Sequence, residues 1–322
     1  MTTIKRILAA GVLAAMATMA AVHAPAQAAV PESKDPIILT IHDWTGQYIT
    51  THIMGRVLEE MGYNVKYQQA DYIAQFAGLE SGDLHVAMEM WETTGKQAMD
   101  ASLKTGKTMD LGETGMVAIE EWWYPLYMKE KCPGLPDWKA LNKCAEAFST
   151  PETHPKGRYL GGPVTWSGFD DERVEALGMN FEVVHAGTDA ALFAEIQSAY
   201  ERKAPVLAWV YTPHWAPIKF RGEWVSFPKY ADECYSEPKW GMNPKMAYDC
   251  GKPRGWIKAV GWAGGEKKWP CGYKAVQNFQ ITNQDMGEMV GLVDLEGKKV
   301  DAVVEDWITA NKGKWSQWTQ CK

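Results

Sequence analysis

Trp44, Trp91, Trp166, Trp209, Tyr211 and Trp215 stand where short apolar runs give way to turns. None of these side chains is a nucleophile, an acid or a metal ligand at neutral pH. What a ring offers instead is a flat apolar surface with a negative face, which attracts cations. A quaternary ammonium group suits such faces, being charged, apolar on its outside and unable to donate a hydrogen bond. Each desolvated ring face contributes up to about 2 kcal/mol, so three or four give roughly 6–8 kcal/mol. Micromolar binding needs about 8 kcal/mol before ordering costs are met, so a polar contact must supplement the rings. The backbone N–H groups of Ser167 and Gly168, at the expected start of a helix, are placed to donate to a ligand oxygen. Asp170 and Asp171 share that first turn and compete for its positive field.

The elements that must carry these rings follow from periodicity. Pro205 to Trp215 is a short run of β-formers bracketed by Pro205 and Pro213, and its period of two puts Trp209 and Tyr211 on one face. Ile37 to Trp44 is a buried strand, and Ile49, Ile53, Val57 and Met61 form an amphipathic helix closed by Gly62. Tyr63 to Tyr67 is a strand, Asp71 caps a helix carrying Tyr72, Phe76 and Leu79, and Leu84 to Met90 delivers Trp91. A second unit runs from Arg158 to Trp166, through a capping box at Ser167-Gly168-Phe169-Asp170, to a strand at Phe181 to His185 and a helix at Ala190 to Tyr200. Ala275 to Ile281 reads as a strand, and Gln284 to Val293 and Val300 to Thr309 as helices. The pattern predicts an α/β fold of two lobes joined by two crossings, lobe 1 being 29–121 with 225–322 and lobe 2 being 122–224. Parallel strands present their carboxyl ends to one edge, so facing lobes gather the rings around a single cleft.

The 322 residues include sixteen Trp against eight Phe, an excess that points to a ligand as well as a core. The formal charge of -7 argues against a nucleic-acid partner. Residues 1–28 read as a signal peptide: Lys5 and Arg6, an apolar run from Ile7 to Val22, and Ala26-Gln27-Ala28 as the cleavage site. Export to a periplasm is therefore expected. Cys132, Cys144, Cys234, Cys250, Cys271 and Cys321 then read as structural disulfides. Spacing favours Cys132 with Cys144 and Cys234 with Cys250, leaving Cys271 with Cys321. The sequence has no C-x-x-C pair and no zinc-ligand spacing of His, and neither a cofactor nor a metal is expected.

Asp43-Trp44-Thr45, Gly82-Asp83 to Trp91, Trp166-Ser167-Gly168, Pro205 to Trp215 and Asp306-Trp307 together resemble the glycine betaine-type substrate-binding proteins of ABC importers, the ProX/OpuAC family. The resemblance spans nearly the whole mature chain. It implies a two-lobed periplasmic binding protein fold that closes on a trimethylammonium ligand, with Trp91, Trp166 and Tyr211 as cage walls and Ser167-Gly168 near the ligand's oxygen. It also implies a membrane permease as partner, and a monomer is expected. A glycine betaine binder of the family has a His four residues after the first cage Trp, where this chain has Gly95. Tyr211 replaces a cage Trp, and Trp209 adds a ring on the same face. These departures favour a smaller ligand with one oxygen, ranking trimethylamine N-oxide ahead of glycine betaine and choline. Glu121 is the acid expected to reach that ligand.

Two rival classes stay open at this stage. A secreted enzyme would need a nucleophile elbow, a P-loop or a His-Glu-x-x-His motif, and the sequence has none of them. A carbohydrate-binding protein would also use Trp platforms, in an open groove indifferent to a quaternary nitrogen.

Overall fold

The computed structural model describes residues 30–321, so the expected signal peptide lies outside the described residues. Its nine strands are β1 (Ile37–Ile41), β2 (Val65–Gln69), β3 (Val86–Trp91), β4 (Thr108–Pro125), β5 (Gly157–Gly161), β6 (Phe181–His185), β7 (Ala208–Thr212), β8 (Gly222–Trp224) and β9 (Gly255–Trp262). They hydrogen-bond in the order β2-β1-β3-β9-β4-β7-β5-β6, with β8 on β4. The β2-β1-β3 group and the β6-β5-β7 group are each parallel, as β-α-β units require, while β9 and β4 run antiparallel to their neighbours. All six residues of β3 are buried, because helices cover both faces of that part of the sheet.

β4 joins the two lobes. It pairs with β9 as far as Ala118 and with β7 from Ile119 to Trp123, so one 18-residue strand belongs to both halves. The switch falls three residues before Trp122, where the sequence reading put the crossing. β8 pairs with Trp123 to Pro125, and the chain returns to the first lobe through a loop-rich stretch ending at Gly255. On the first lobe, the helix α1 (Thr45–Glu60) buries Ile49, Ile53 and Val57 and packs against the C-terminal helices Asn283–Asp294 and Val300–Ala310.

Three local readings are corrected. The expected strand at Ala275 to Ile281 does not form: its first three residues end the helix Pro270–Gln277, which Pro270 opens and which buries Tyr273 and Val276 one turn apart, and the rest is turn and loop. β9 was not anticipated: Ile257 and Ala259 are buried and Trp256 and Lys258 half-buried, but glycines at both ends give it the look of a loop. The capping box at Ser167 does not form. Ser167 and Phe169 take left-handed backbone conformations with φ of 56° and 58°, and the helix starts at Asp170 without a side-chain cap. The cysteines meet as Cys132–Cys144, Cys234–Cys250 and Cys271–Cys321, with Cα atoms 5.7, 6.4 and 5.3 Å apart, inside the disulfide range.

Candidate functional site

Where the lobes face each other, Trp44, Tyr72, Trp91, Thr94, Glu120, Trp166 and Tyr211 line one pocket. Trp44 follows β1, Trp91 ends β3, and Tyr72 precedes the helix α2 (Gln75–Ser81); all three come from the first lobe. Trp166 and Tyr211 come from the second. The rings meet edge to face, as the walls of a box do: Trp44 with Trp166 at 5.8 Å and 73°, Trp91 with Tyr211 at 5.5 Å and 87°, and Trp166 with Tyr211 at 5.9 Å and 79°.

Each wall is held from behind. The Trp44 and Trp91 indole N–H groups both donate to Oε2 of buried Glu89, at 3.0 and 3.1 Å. Tyr72 accepts the Trp91 backbone N–H at 2.9 Å. The Tyr211 hydroxyl donates to Asp189 at 2.8 Å, and burial pushes the Asp189 carboxyl up to about 7. Trp166 is fixed across the cleft, its indole N–H donating to Asp43 of the first lobe at 3.0 Å.

Of the eight expected ligand residues, Trp44, Trp91, Trp166 and Tyr211 line this space and Ser167, Gly168, Trp209 and Glu121 do not. Trp209 shares its side of β7 with Tyr211, as expected, but sits behind Trp166 with centroids 6.4 Å apart. Its face is already occupied by a cation of the protein, Lys252, whose Nζ lies 3.4 Å from the ring centroid. Burial holds Lys252 below the ordinary lysine range. Gly168 lies against Trp209, and a Cβ there would collide with the ring.

The acid is Glu120 rather than Glu121. Successive residues of a strand face opposite sides, so the two carboxylates diverge. Glu121 forms a buried ion pair with Arg173 and accepts the Lys252 backbone N–H at 2.9 Å. Glu120 faces the rings, accepts the Thr93 hydroxyl, and is pushed up by burial against the opposing pull of Lys252. Tyr72, Thr94 and Glu120 were missed. Tyr72 read as helix core, while strand parity within β4 was the signal that separates Glu120 from its neighbour.

Beside Tyr211, Asp189, His214 and Asp294 approach one another within 4.8 Å. Their oxygens are already engaged: Asp294 accepts from Thr45 at 2.7 Å and Trp215 at 2.9 Å, and Asp189 accepts from Tyr211. His214 Nε2 lies 3.6 Å from Asp294, a contact longer than a hydrogen bond. The group ties the end of helix Asn283–Asp294 to the second lobe.

Residues 35–310 match the family described as the substrate binding domain of ABC-type glycine betaine transport systems, OpuAC. The chain belongs to this family. It is therefore a substrate-binding protein of an ABC transporter and not an enzyme. Among relatives, it is 32% identical over 299 residues to the trimethylamine N-oxide-binding protein of Pelagibacter ubique (strain HTCC1062), covering 90% of this chain and 92% of that one. In fold it is similar to an ABC-transporter choline binding protein in complex with choline, with a TM-score of 0.71, 17% identity, and 89% and 92% of the two chains covered. It is likewise similar to lactococcal OpuAC in its closed-liganded conformation complexed with glycine betaine, with a TM-score of 0.66, 16% identity, and 89% and 100% covered. Substrate-binding proteins of this family act outside the cytoplasmic membrane, and among the described residues no helix is long and apolar enough to cross it.

Proposed function

We propose that the protein captures trimethylamine N-oxide between its lobes and delivers it to the permease of an importer. The observation that carries this reading is the composition of the enclosed space: five aromatic walls, one threonine and one carboxyl, with no cationic side chain in the lining. The methyl groups would pack on Trp44, Tyr72, Trp91, Trp166 and Tyr211, whose faces favour the positive nitrogen. The N-oxide oxygen is a strong acceptor and needs a donor. Burial raises the proton affinity of Glu120, and in its protonated form it would donate to that oxygen, with the Thr94 hydroxyl alongside.

Glycine betaine fits this lining less well, since its carboxylate would meet Glu120 and no cation. A side chain at Gly95 that might hold such a carboxylate has no room, because a Cβ there would press on Tyr72 and Met90. Choline is the second reading, favoured if Glu120 stays ionised and accepts the alcohol hydroxyl. The relative described as a trimethylamine N-oxide-binding protein supports the first reading.

Calorimetric titration of protein freed of carried-over ligand, with the N-oxide, choline and glycine betaine in turn, tests the proposal. Tightest binding of the N-oxide is expected. Preference for choline would replace the ligand while keeping the cage, and no binding of any of the three would overturn both.

A further inference from the structure

Glu89 does not line the pocket, yet it is bonded to two of its walls, Trp44 and Trp91. It is 1% exposed and sits in β3 behind the first-lobe rings. Its Oε2 accepts both cage indoles, Trp44 and Trp91, and its Oε1 accepts the Thr50 hydroxyl. All three donors are neutral. Among the described residues no Lys, Arg or His forms an ion pair with Glu89, whereas three other buried acids have cations: Glu121 has Arg173, and Lys252 acts on both Glu120 and Asp170. A carboxylate without a counter-ion in an apolar interior is costly to ionise, and burial raises its proton affinity while the three donors oppose that rise.

We infer that Glu89 is a positioning residue of the site and a source of its charge preference: it fixes the planes of Trp44 and Trp91 and supplies the negative charge that the ligand's nitrogen neutralises. The inference rests on the cage reading above. Two consequences follow from the geometry. A hydrogen bond from each indole N–H to an ionised acceptor pushes electron density into the ring and deepens its negative face. The carboxylate also acts through a dry, low-dielectric wall, where a unit charge is poorly screened. The positive nitrogen of a ligand in the box then faces a carboxylate that has no cation of the protein beside it.

The test separates charge from geometry. In Glu89→Gln the amide oxygen has two lone pairs and can accept both indoles, and the amide N–H₂ can donate to Thr50, so the packing is kept and the charge removed. Affinities are measured for trimethylamine N-oxide and for its neutral isostere tert-butanol, the weak binder being followed by ligand-detected NMR and competition. The N-oxide is expected to lose at least tenfold in affinity while the isostere changes less than threefold. Equal losses for both would reduce Glu89 to a structural support, and an unchanged N-oxide affinity would remove any role; either overturns the inference while the cage reading stands. If wild-type protein ignores the N-oxide, choline and glycine betaine alike, the cage reading itself fails and this inference with it. Should Glu89→Gln not fold, Glu89→Asp carries the test. It keeps the charge but reaches less far, so both affinities fall with their ratio preserved, and a collapsed ratio overturns the inference.

Discussion

Asp189 couples closure of the lobes to pH. Its carboxyl is buried against Tyr211 and raised from 3.8 to about 7, first by burial and then by the nearby Asp294 and Asp43, with Tyr211 opposing. That rise corresponds to about 4 kcal/mol against ionised Asp189 in the closed form. Both acids that raise it belong to the first lobe, so hinge opening, the usual motion of two-lobed binding proteins, would remove their part of the rise, and also the larger part due to burial wherever opening lets water reach the carboxyl. The closed form then holds more protons than the open one. Closure is favoured as pH falls through 7, and that contribution disappears as pH rises above it. If opening returns Asp189 to the ordinary carboxylate range, acidification from pH 8 to pH 6 tightens ligand binding about tenfold. Asp189→Asn keeps an acceptor for the Tyr211 hydroxyl and removes the titration, so its affinity should be flat across that interval and at pH 8 no weaker than wild type. Titration calorimetry of the two proteins at pH 6, 7 and 8 decides the matter. Wild-type affinity that does not change, or a variant that changes in parallel with wild type, would refute the reasoning.

Trp166→Ala removes one ring face and its bond to Asp43, and should weaken ligand binding about thirtyfold or more, read by calorimetry, with the melting temperature much less affected. Trp209→Phe should do the opposite: its ring serves Lys252 and lies behind the box, so stability falls while affinity stays within about threefold. Gly95→His should not create a glycine betaine site, because even a Cβ meets Tyr72; displacement of Tyr72 and lower affinity for every ligand are expected in a binding panel. Replacing Cys271 and Cys321 together by serine opens a link of sequence separation 50, and chemical denaturation should show a loss of up to about 4 kcal/mol if the pair is oxidised.

Much of this architecture is legible in the sequence because it rests on periodicity. Strand parity put Trp209 and Tyr211 on one side of β7, and apolar runs ending in Trp marked Trp44 and Trp91 as edge residues. What failed depends on depth and on partners that sequence spacing does not carry. Two rings on one side of a strand need not reach the same cavity: Tyr211 does, while Trp209 is filled from behind by Lys252, more than forty residues away along the chain. Glu120 and Glu121 are adjacent and chemically alike. Strand parity puts them on opposite sides, and the register of β4 against β7, which pairs Glu120 with Tyr211, tells which one faces the rings. Ser167 and Gly168 look like a helix start, yet left-handed backbone at Ser167 and Phe169 redirects the chain so that neither residue lines the box.

The way the walls are fastened makes ring geometry and domain closure one equilibrium. Trp44 and Trp91 are pinned within the first lobe by Glu89, and Tyr211 within the second by Asp189. Trp166 is different: its indole N–H finds its acceptor, Asp43, only on the opposite lobe. Trp44, Trp91 and Tyr211 are therefore set before the lobes meet, and Trp166 is set by their meeting. A ligand shifts such an equilibrium only by its excess affinity for the closed form. A molecule that touches Trp44 and Trp91 alone binds open and closed protein nearly alike and leaves the lobes apart. One that also packs on Trp166 and Tyr211 is bound more tightly by the closed form. If the ligand is the compact trimethylammonium group proposed above, selectivity for it would come from the number of walls it can touch at once, since a larger ligand would hold Trp166 away from Asp43.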